Sequence, residues 1–273
     1  MSKKNGQGQS FKDALQSAFA TGAILIAFIV SIIVYKYIMG NGANFEGGNP
    51  DGHPIPGNYL AMIYKGGFIV PLLMTCVLTV LIFTIERFVM IRKARGKGRI
   101  NVFVKTIQTS LSSNKIDDAI TACDKQKGSI ANVMKAGLTK YKELKEDTVL
   151  EKEQKVLALQ KDMEESTALE LPMLSKNLVI LSTLASISVL IGLIGTVLGM
   201  IKAFAALATA GSPDALALAT GISEALINTA FGIAGSTLAI IFYNYFSSKI
   251  DALTFKIDEA GFSLVQTFAA TTK

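Results

Sequence analysis

Thr196, Thr229 and Glu224 stand out because each carries a polar group inside a long apolar stretch. The first stretch, Asn177 to Leu207, contains Gly192-Leu193-Ile194-Gly195-Thr196-Val197-Leu198-Gly199-Met200-Ile201-Lys202-Ala203-Phe204. The second, Ala219 to Phe246, contains Gly221-Ile222-Ser223-Glu224-Ala225-Leu226-Ile227-Asn228-Thr229-Ala230-Phe231-Gly232. An unsatisfied hydroxyl or carboxylate in hydrocarbon is costly, so these groups must face other helices or a hydrated path. Counted from Leu207 and Ala219 at the rise of an α-helix, Thr196 lies about 16 Å and Thr229 about 15 Å below one surface, near the middle of a bilayer. A threonine hydroxyl both donates and accepts, so it relays a hydrogen bond. It does not titrate near neutral pH, and another group must hold the proton for part of any transfer. The plain alternative is that each hydroxyl bonds a carbonyl of its own helix.

The residues around these groups are small. Ser182, Ala185, Val189, Gly192, Thr196, Gly199 and Ala203 fall near one face of the first stretch, which suits close helix approach or a narrow cavity. Gly192, Gly195, Gly199 and Gly232 are the helix-packing candidates. In the second stretch Thr229, Gly232 and Ser236 share a face, and Glu224, Asn228 and Gly235 share another about 140° away. On this reading one face lines a path and the other meets a neighbouring subunit. Lys202 either extends to the interface or pairs with Glu224 of its own or a neighbouring chain.

The elements that must position these groups follow from composition. The chain has 273 residues, half of them hydrophobic, and a mean hydropathy of +0.42. That is too apolar for a soluble domain and predicts an all-α integral membrane protein. Four stretches reach the length of about 20 residues that a spanning helix needs: Ala18 to Ile38, Gly67 to Ile91, Asn177 to Leu207 and Ala219 to Phe246. The run Arg92-Lys93-Ala94-Arg95-Gly96-Lys97-Gly98-Arg99 follows the second span and marks a cytoplasmic end. The predicted layout is a cytoplasmic tail (1–17), a transmembrane helix (18–39), a periplasmic loop (40–66) and a second transmembrane helix (67–91). A cytoplasmic helical domain (92–176), a helix (177–208), a periplasmic loop (209–218), a helix (219–246) and a cytoplasmic tail (247–273) complete it. The outer loop carries Asp214 and no Lys or Arg, whereas the final tail carries Lys249, Lys256 and Lys273. Lys3, Lys4 and Lys12 precede the first span, which reads as a retained anchor.

In the polar block, Asn114 and Asp117 open a helix that runs to Lys127 and stops at Gly128. Thr148-Val149-Leu150-Glu151 has the pattern of a capping box. Val156, Leu159, Met163 and Leu171 then mark an amphipathic helix that Pro172 is expected to kink or interrupt. A net charge of +6 invites a nucleic-acid reading, but the basic residues are dispersed among acids except in the juxtamembrane run, so no nucleic-acid partner is expected. Cys76 and Cys123 belong to different compartments and should not pair. His53, the one histidine, reads as plain loop. With no histidine–acid cluster, metal-ligand set or phosphate loop, neither catalytic residues nor metals nor cofactors are expected.

The two dense strings, together with Tyr243-Asn244-Tyr245-Phe246 and the Glu86-Arg87 that ends the second span, resemble the ExbB/TolQ branch of the MotA/TolQ/ExbB proton-channel family, ExbB most closely. The resemblance implies a homopentamer in the inner membrane of a Gram-negative bacterium, with both termini cytoplasmic. It implies an ExbD-like single-span partner that carries the proton-binding aspartate, and a TonB-like protein that uses the proton-motive force to energise outer-membrane transport. A TolQ-like role in envelope maintenance and a gliding-type motor are the alternatives. By position Thr196 and Thr229 become the hydroxyls of the ion path, and Glu224 the acid near its outer end. The family core has three spans, so the helix over 18–39 is an addition. Relatives often carry proline where this chain has Val189 and Leu238, and commonly a neutral residue at Lys202.

Overall fold

A computed structural model describes residues 19–50, 52–208 and 215–271. The expected tail at 1–17 and Asp214 lie outside these residues, as does most of the loop expected over 209–218. The described chain is built from helices: α1 (Phe19–Met39), α2 (Tyr59–Tyr64), α3 (Ile69–Arg95), α4 (Ile100–Ser112), α5 (Ile116–Gln126), α6 (Ser129–Glu146), α7 (Lys152–Ser175), α8 (Leu178–Ala208) and α9 (Ala215–Thr271). The last six residues of α1, Val34–Met39, are wound as a π-helix. Among the described residues four helices are long and apolar enough to cross a membrane, and α1, α3, α8 and α9 cover most of the four expected stretches. This is an all-helical membrane protein, and it divides into two compact units.

The first unit comprises the described residues up to Ile85 together with Val179–Tyr243. Its helices bury many small residues and turn many large ones outward, with Leu73, Phe83 and Leu181 among the large side chains that are buried. In α1, Ala23, Ala27 and Ser31 are buried at a spacing of four, while Leu25, Ile26, Ile29 and Ile33 are exposed. Such a surface is stable where the surroundings are as apolar as the side chains. Between α1 and α2 the chain folds into a small cap. Asn44 donates to the carbonyls of Ile38 (2.8 Å) and Met39 (3.1 Å), satisfying the end of α1, and Asn58 Oδ1 accepts from Leu60 and Ala61 to open α2. Phe45, 2% exposed, meets Tyr64 edge-on, and Tyr64 stacks on Tyr35 with ring centroids 4.7 Å apart. His53 is exposed, and its carbonyl accepts from Glu46 N in this cap.

The second unit comprises Glu86–Leu178 and residues from Asn244 onward. Phe103, Ile107 and Leu111 form one buried row on α4. With Ile130, Met134, Leu138 and Tyr141 of α6, Leu159 and Met163 of α7, and Ile257, Leu264 and Phe268 of α9, they contribute to an ordinary hydrophobic core. Tyr141 packs edge-on against Phe268, and its hydroxyl bonds Thr271 Oγ1 at 2.8 Å. Ion pairs such as Lys142–Asp117 (2.7 Å) and Lys135–Asp124 (2.5 Å) stay on the outside.

Three local details differ from the sequence-based expectations. The helix predicted from Asn114 begins at Ile116, because Asn114 adopts a left-handed turn (φ 58°) that only a few residue types tolerate well. The capping box lies three residues later than predicted, between Glu151 and Gln154, because Gln154 Oε1 holds the Glu151 amide that a Thr148–Glu151 box would use. Pro172 does not interrupt α7, which continues to Ser175. The break comes where Arg87, 1% exposed and bonded twice to Glu86 at 2.5 Å, donates to the carbonyl of Leu174 at 3.0 Å. Both cysteines are free and buried.

A candidate ion path between two helices

Helices α8 and α9 approach closely enough for backbone to meet backbone. A Cβ at Gly199 would stand 2.7 Å from the nitrogen of Ala225 and 2.8 Å from the carbonyl oxygen of Gly221, and one at Gly232 would stand 2.7 Å from the carbonyl oxygen of Ser188. Gly192 faces Gly232 and the carbonyl of Asn228, and Gly195 faces the Asn228 side chain. The buried row on α8 is Ser188, Gly192, Gly195, Gly199 and Ala203, whereas Ser182, assigned to that face by the helical wheel, is exposed. The row drifts because a helix has 3.6 residues per turn, so steps of three and four alternate.

This approach brings Thr196 and Thr229, both half-buried, into contact through their hydroxyls. Thr196 Oγ1 also lies 3.1 Å from the carbonyl oxygen of Gly192 and 3.4 Å from that of Ala225, and Thr229 Oγ1 lies 3.2 Å from that of Ala225. The own-helix bonds and the cross-helix bond therefore coexist. Two hydroxyls have two protons, and only one can bridge the pair, so the other must go to a carbonyl. The pair can be bonded in either direction, ending on Ala225 O through Thr229 or on Gly192 O or Ala225 O through Thr196, and the exchange moves hydroxyl protons without moving a heavy atom.

Glu224 is 4% exposed and pairs with Lys202 of the same chain, whose Nζ lies 2.7 Å from Oε1 and 2.9 Å from Oε2. One turn further along α9, the fully buried Asn228 donates Nδ2 to the carbonyl of Gly66 at 2.9 Å. Gly67, at φ 78°, sits against Glu224 Oε1 with no room for a Cβ, so both the conformation and the contact require glycine. Tyr35 of α1 donates to the carbonyl of Tyr64 at 3.1 Å and lies within electrostatic range of Glu224.

The two diverging faces of α9 thus meet parts of one chain. Thr229, Gly232 and Ser236 face α8, where Ser236 bonds the carbonyl of Ala185, while Glu224 and Asn228 face the turn between α2 and α3. Sequence reasoning missed Gly66, Gly67 and Tyr35. The available signal was an asparagine one turn from a glutamate in an apolar span, two groups that both demand partners. Among the described residues no group of three His, Cys, Asp or Glu side chains is placed to hold a metal.

Residues 125–259, which include Thr196, Glu224 and Thr229, match the model of the MotA/TolQ/ExbB proton channel family. The Tol-Pal system protein TolQ of Pseudomonas aeruginosa is 31% identical over 124 residues, which covers 45% of this chain and 54% of that protein. The biopolymer transport protein ExbB of Helicobacter pylori is 40% identical over 83 residues, 30% of this chain and 57% of that protein. ExbB of Salmonella typhimurium is 37% identical over 70 residues, 26% and 29% respectively. The matched part of the chain thus spans between 29% and 57% of these relatives' lengths.

Proposed function

From the premise that this chain carries a domain of the MotA/TolQ/ExbB proton channel family, we propose that it is a proton-channel and stator subunit of an ExbB–ExbD–TonB-like inner-membrane motor. The observation that carries the reading is the bond between Thr196 and Thr229. It supplies a reversible relay, on a helix that also carries a fully buried asparagine and a glutamate paired with Lys202. The acid that takes and releases the proton is then supplied from outside the chain, by an ExbD-like single-span partner. Five copies surround that partner's helices, both termini lie in the cytoplasm, and a TonB-like protein carries the work to the outer membrane. Nothing in this scheme requires an enzyme's chemistry. The exposed apolar side of α8, with Leu193, Ile194, Val197, Ile201 and Phe204, is the surface offered to lipid and to other helices.

A second reading, a TolQ-like subunit of envelope maintenance, draws on the Pseudomonas aeruginosa match, which extends over more of this chain than the ExbB matches do. Deleting the chromosomal copy separates the two. Loss of energised uptake with a tight envelope supports the first, and leakage of periplasmic contents with normal uptake supports the second. The path itself is tested by Thr196→Val and Thr229→Val, each of which keeps the shape of the side chain and removes the relay. Energised work is expected to fall at least tenfold in each while the assembled complex keeps its mass in detergent. Normal work in both variants would remove the role.

A further inference from the structure

The Lys202–Glu224 pair bears on which ions the path admits. The inference rests on the ion-path reading for its consequence but not for its test. Glu224 is enclosed. Lys202 Nζ spans both carboxylate oxygens at 2.7 and 2.9 Å, Gly67 closes against Oε1, and Asn228 occupies the next turn of the same face. A sodium or potassium ion is a hard cation that must be surrounded by oxygen ligands. Here the two oxygens of the buried carboxylate are already held by an ammonium. An arriving cation meets a pair of zero net charge and a like charge within a few ångströms, where Coulomb repulsion in a poorly screened setting is strong. A proton passed along hydrogen bonds needs no coordination shell, and the threonine relay is unaffected.

We propose that Lys202 is a selectivity residue: its ammonium denies Glu224 to metal cations, so that this end of the α8–α9 pair does not collect sodium or potassium. Without Lys202, Glu224 is a buried carboxylate, packed against Gly67 and one turn from Asn228, that has lost the cation spanning its two oxygens. The Lys202 side chain is 54% exposed, so replacing it removes the charge without emptying a core.

The test is thermal unfolding of the whole 273-residue chain, purified in detergent, in sodium chloride and in choline chloride at equal ionic strength, with sodium as the probe. The wild type and Lys202→Arg are expected to melt at the same temperature in both salts. Lys202→Gln is expected to melt about 2–4 °C higher in sodium, the shift that corresponds to roughly tenfold excess of ion over its dissociation constant. The double variant Lys202→Gln/Glu224→Gln should lose that increment. A folded Lys202→Gln with no sodium increment overturns the proposal. Sodium NMR linewidths on the wild type and Glu224→Gln give a second readout that needs no Lys202 variant. Equal linewidths are expected, and broadening in the wild type that Glu224→Gln removes overturns the proposal. Neither readout involves proton flow, so failure here leaves the threonine relay standing, and failure of the relay leaves the selectivity claim standing.

Discussion

In the unit that contains Thr196 and Thr229, α8 and α9 meet through Gly192, Gly199 and Gly232, and large side chains of α8 such as Leu193, Ile194 and Val197 point away. In the unit built on α4 to α7, helices meet through Phe103, Ile107, Met134, Leu138 and Leu159, and ion pairs such as Lys142–Asp117 stay outside, with Arg87 and Lys155 the buried charges. The contrast follows from what surrounds each. Where water is outside, burying a large apolar side chain is the main source of stability. Where lipid is outside, a leucine gains little by turning inward, so close backbone packing and hydrogen bonds between helices take over. The same exchange explains why the polar groups of the first unit can serve a path. They sit where α8 and α9 come close enough for short side chains to reach each other.

The comparison breaks first at the large residues. Phe268, fully buried against Tyr141, is expected to cost about 3–5 kcal/mol on truncation to Ala, through lost burial and the cavity left behind. Protection of α6 and the end of α9 against hydrogen exchange would measure it, and an effect under about 1 kcal/mol would show that the second unit lacks a true core. Next come the glycines. In Gly199→Ala the new methyl meets backbone of α9, which cannot yield locally, and the helices must separate at a cost of about 1–3 kcal/mol. In Gly137→Ala the methyl meets Met163, a flexible side chain that can move, and the gain in helix propensity of about 1 kcal/mol offsets much of the strain. Melting temperatures should fall clearly for the first and little for the second. The reverse order would contradict the contrast between backbone and side-chain packing.

The smallest expected effects are the pH limbs of the second unit. Backbone amides of Leu150 and Val149 hold the Asp147 carboxyl below its ordinary value of 3.8, so its contribution is present above that pH and is lost as pH falls through the lower, folded-state value. Burial, with Asp124 adding to it, pushes the Cys123 thiol from 9.0 up to about 12. Above about pH 9 the unfolded chain ionises this thiol and the folded chain does not, so stability declines from there upward. Melting temperature against pH should lose part of its acid limb in Asp147→Asn and part of its alkaline limb in Cys123→Ala. Unchanged limbs would show that these groups are no different in the unfolded chain.

Much of this was legible in the residues, and what was not has a common cause. The level of Thr196 and Thr229 follows from rise per residue alone, and the alternation of small residues points to a close approach. Lys202 is the one basic residue in either apolar stretch, so its pairing with Glu224 was one of two readings, and the structure shows it within one chain. The seat of Glu224 on Gly67 and the bond from Asn228 to Gly66 depend on a turn folding back from more than 150 residues away, and no periodicity encodes that. The displaced capping box has the opposite origin. Thr148–Glu151 and Glu151–Gln154 fit the same local pattern, and the structure uses the second, in which Gln154 Oε1 accepts from the amide of Glu151.

The most direct test of the central claim is proton uptake into proteoliposomes that contain this chain with its single-span partner, driven by a potassium diffusion potential. Thr196→Val and Thr229→Val are expected to lose most of the uptake, while Thr196→Ser and Thr229→Ser, which keep the hydroxyl, retain it. Uptake at the wild-type rate in both valine variants would contradict the claim that the bond between these two hydroxyls lies on the path.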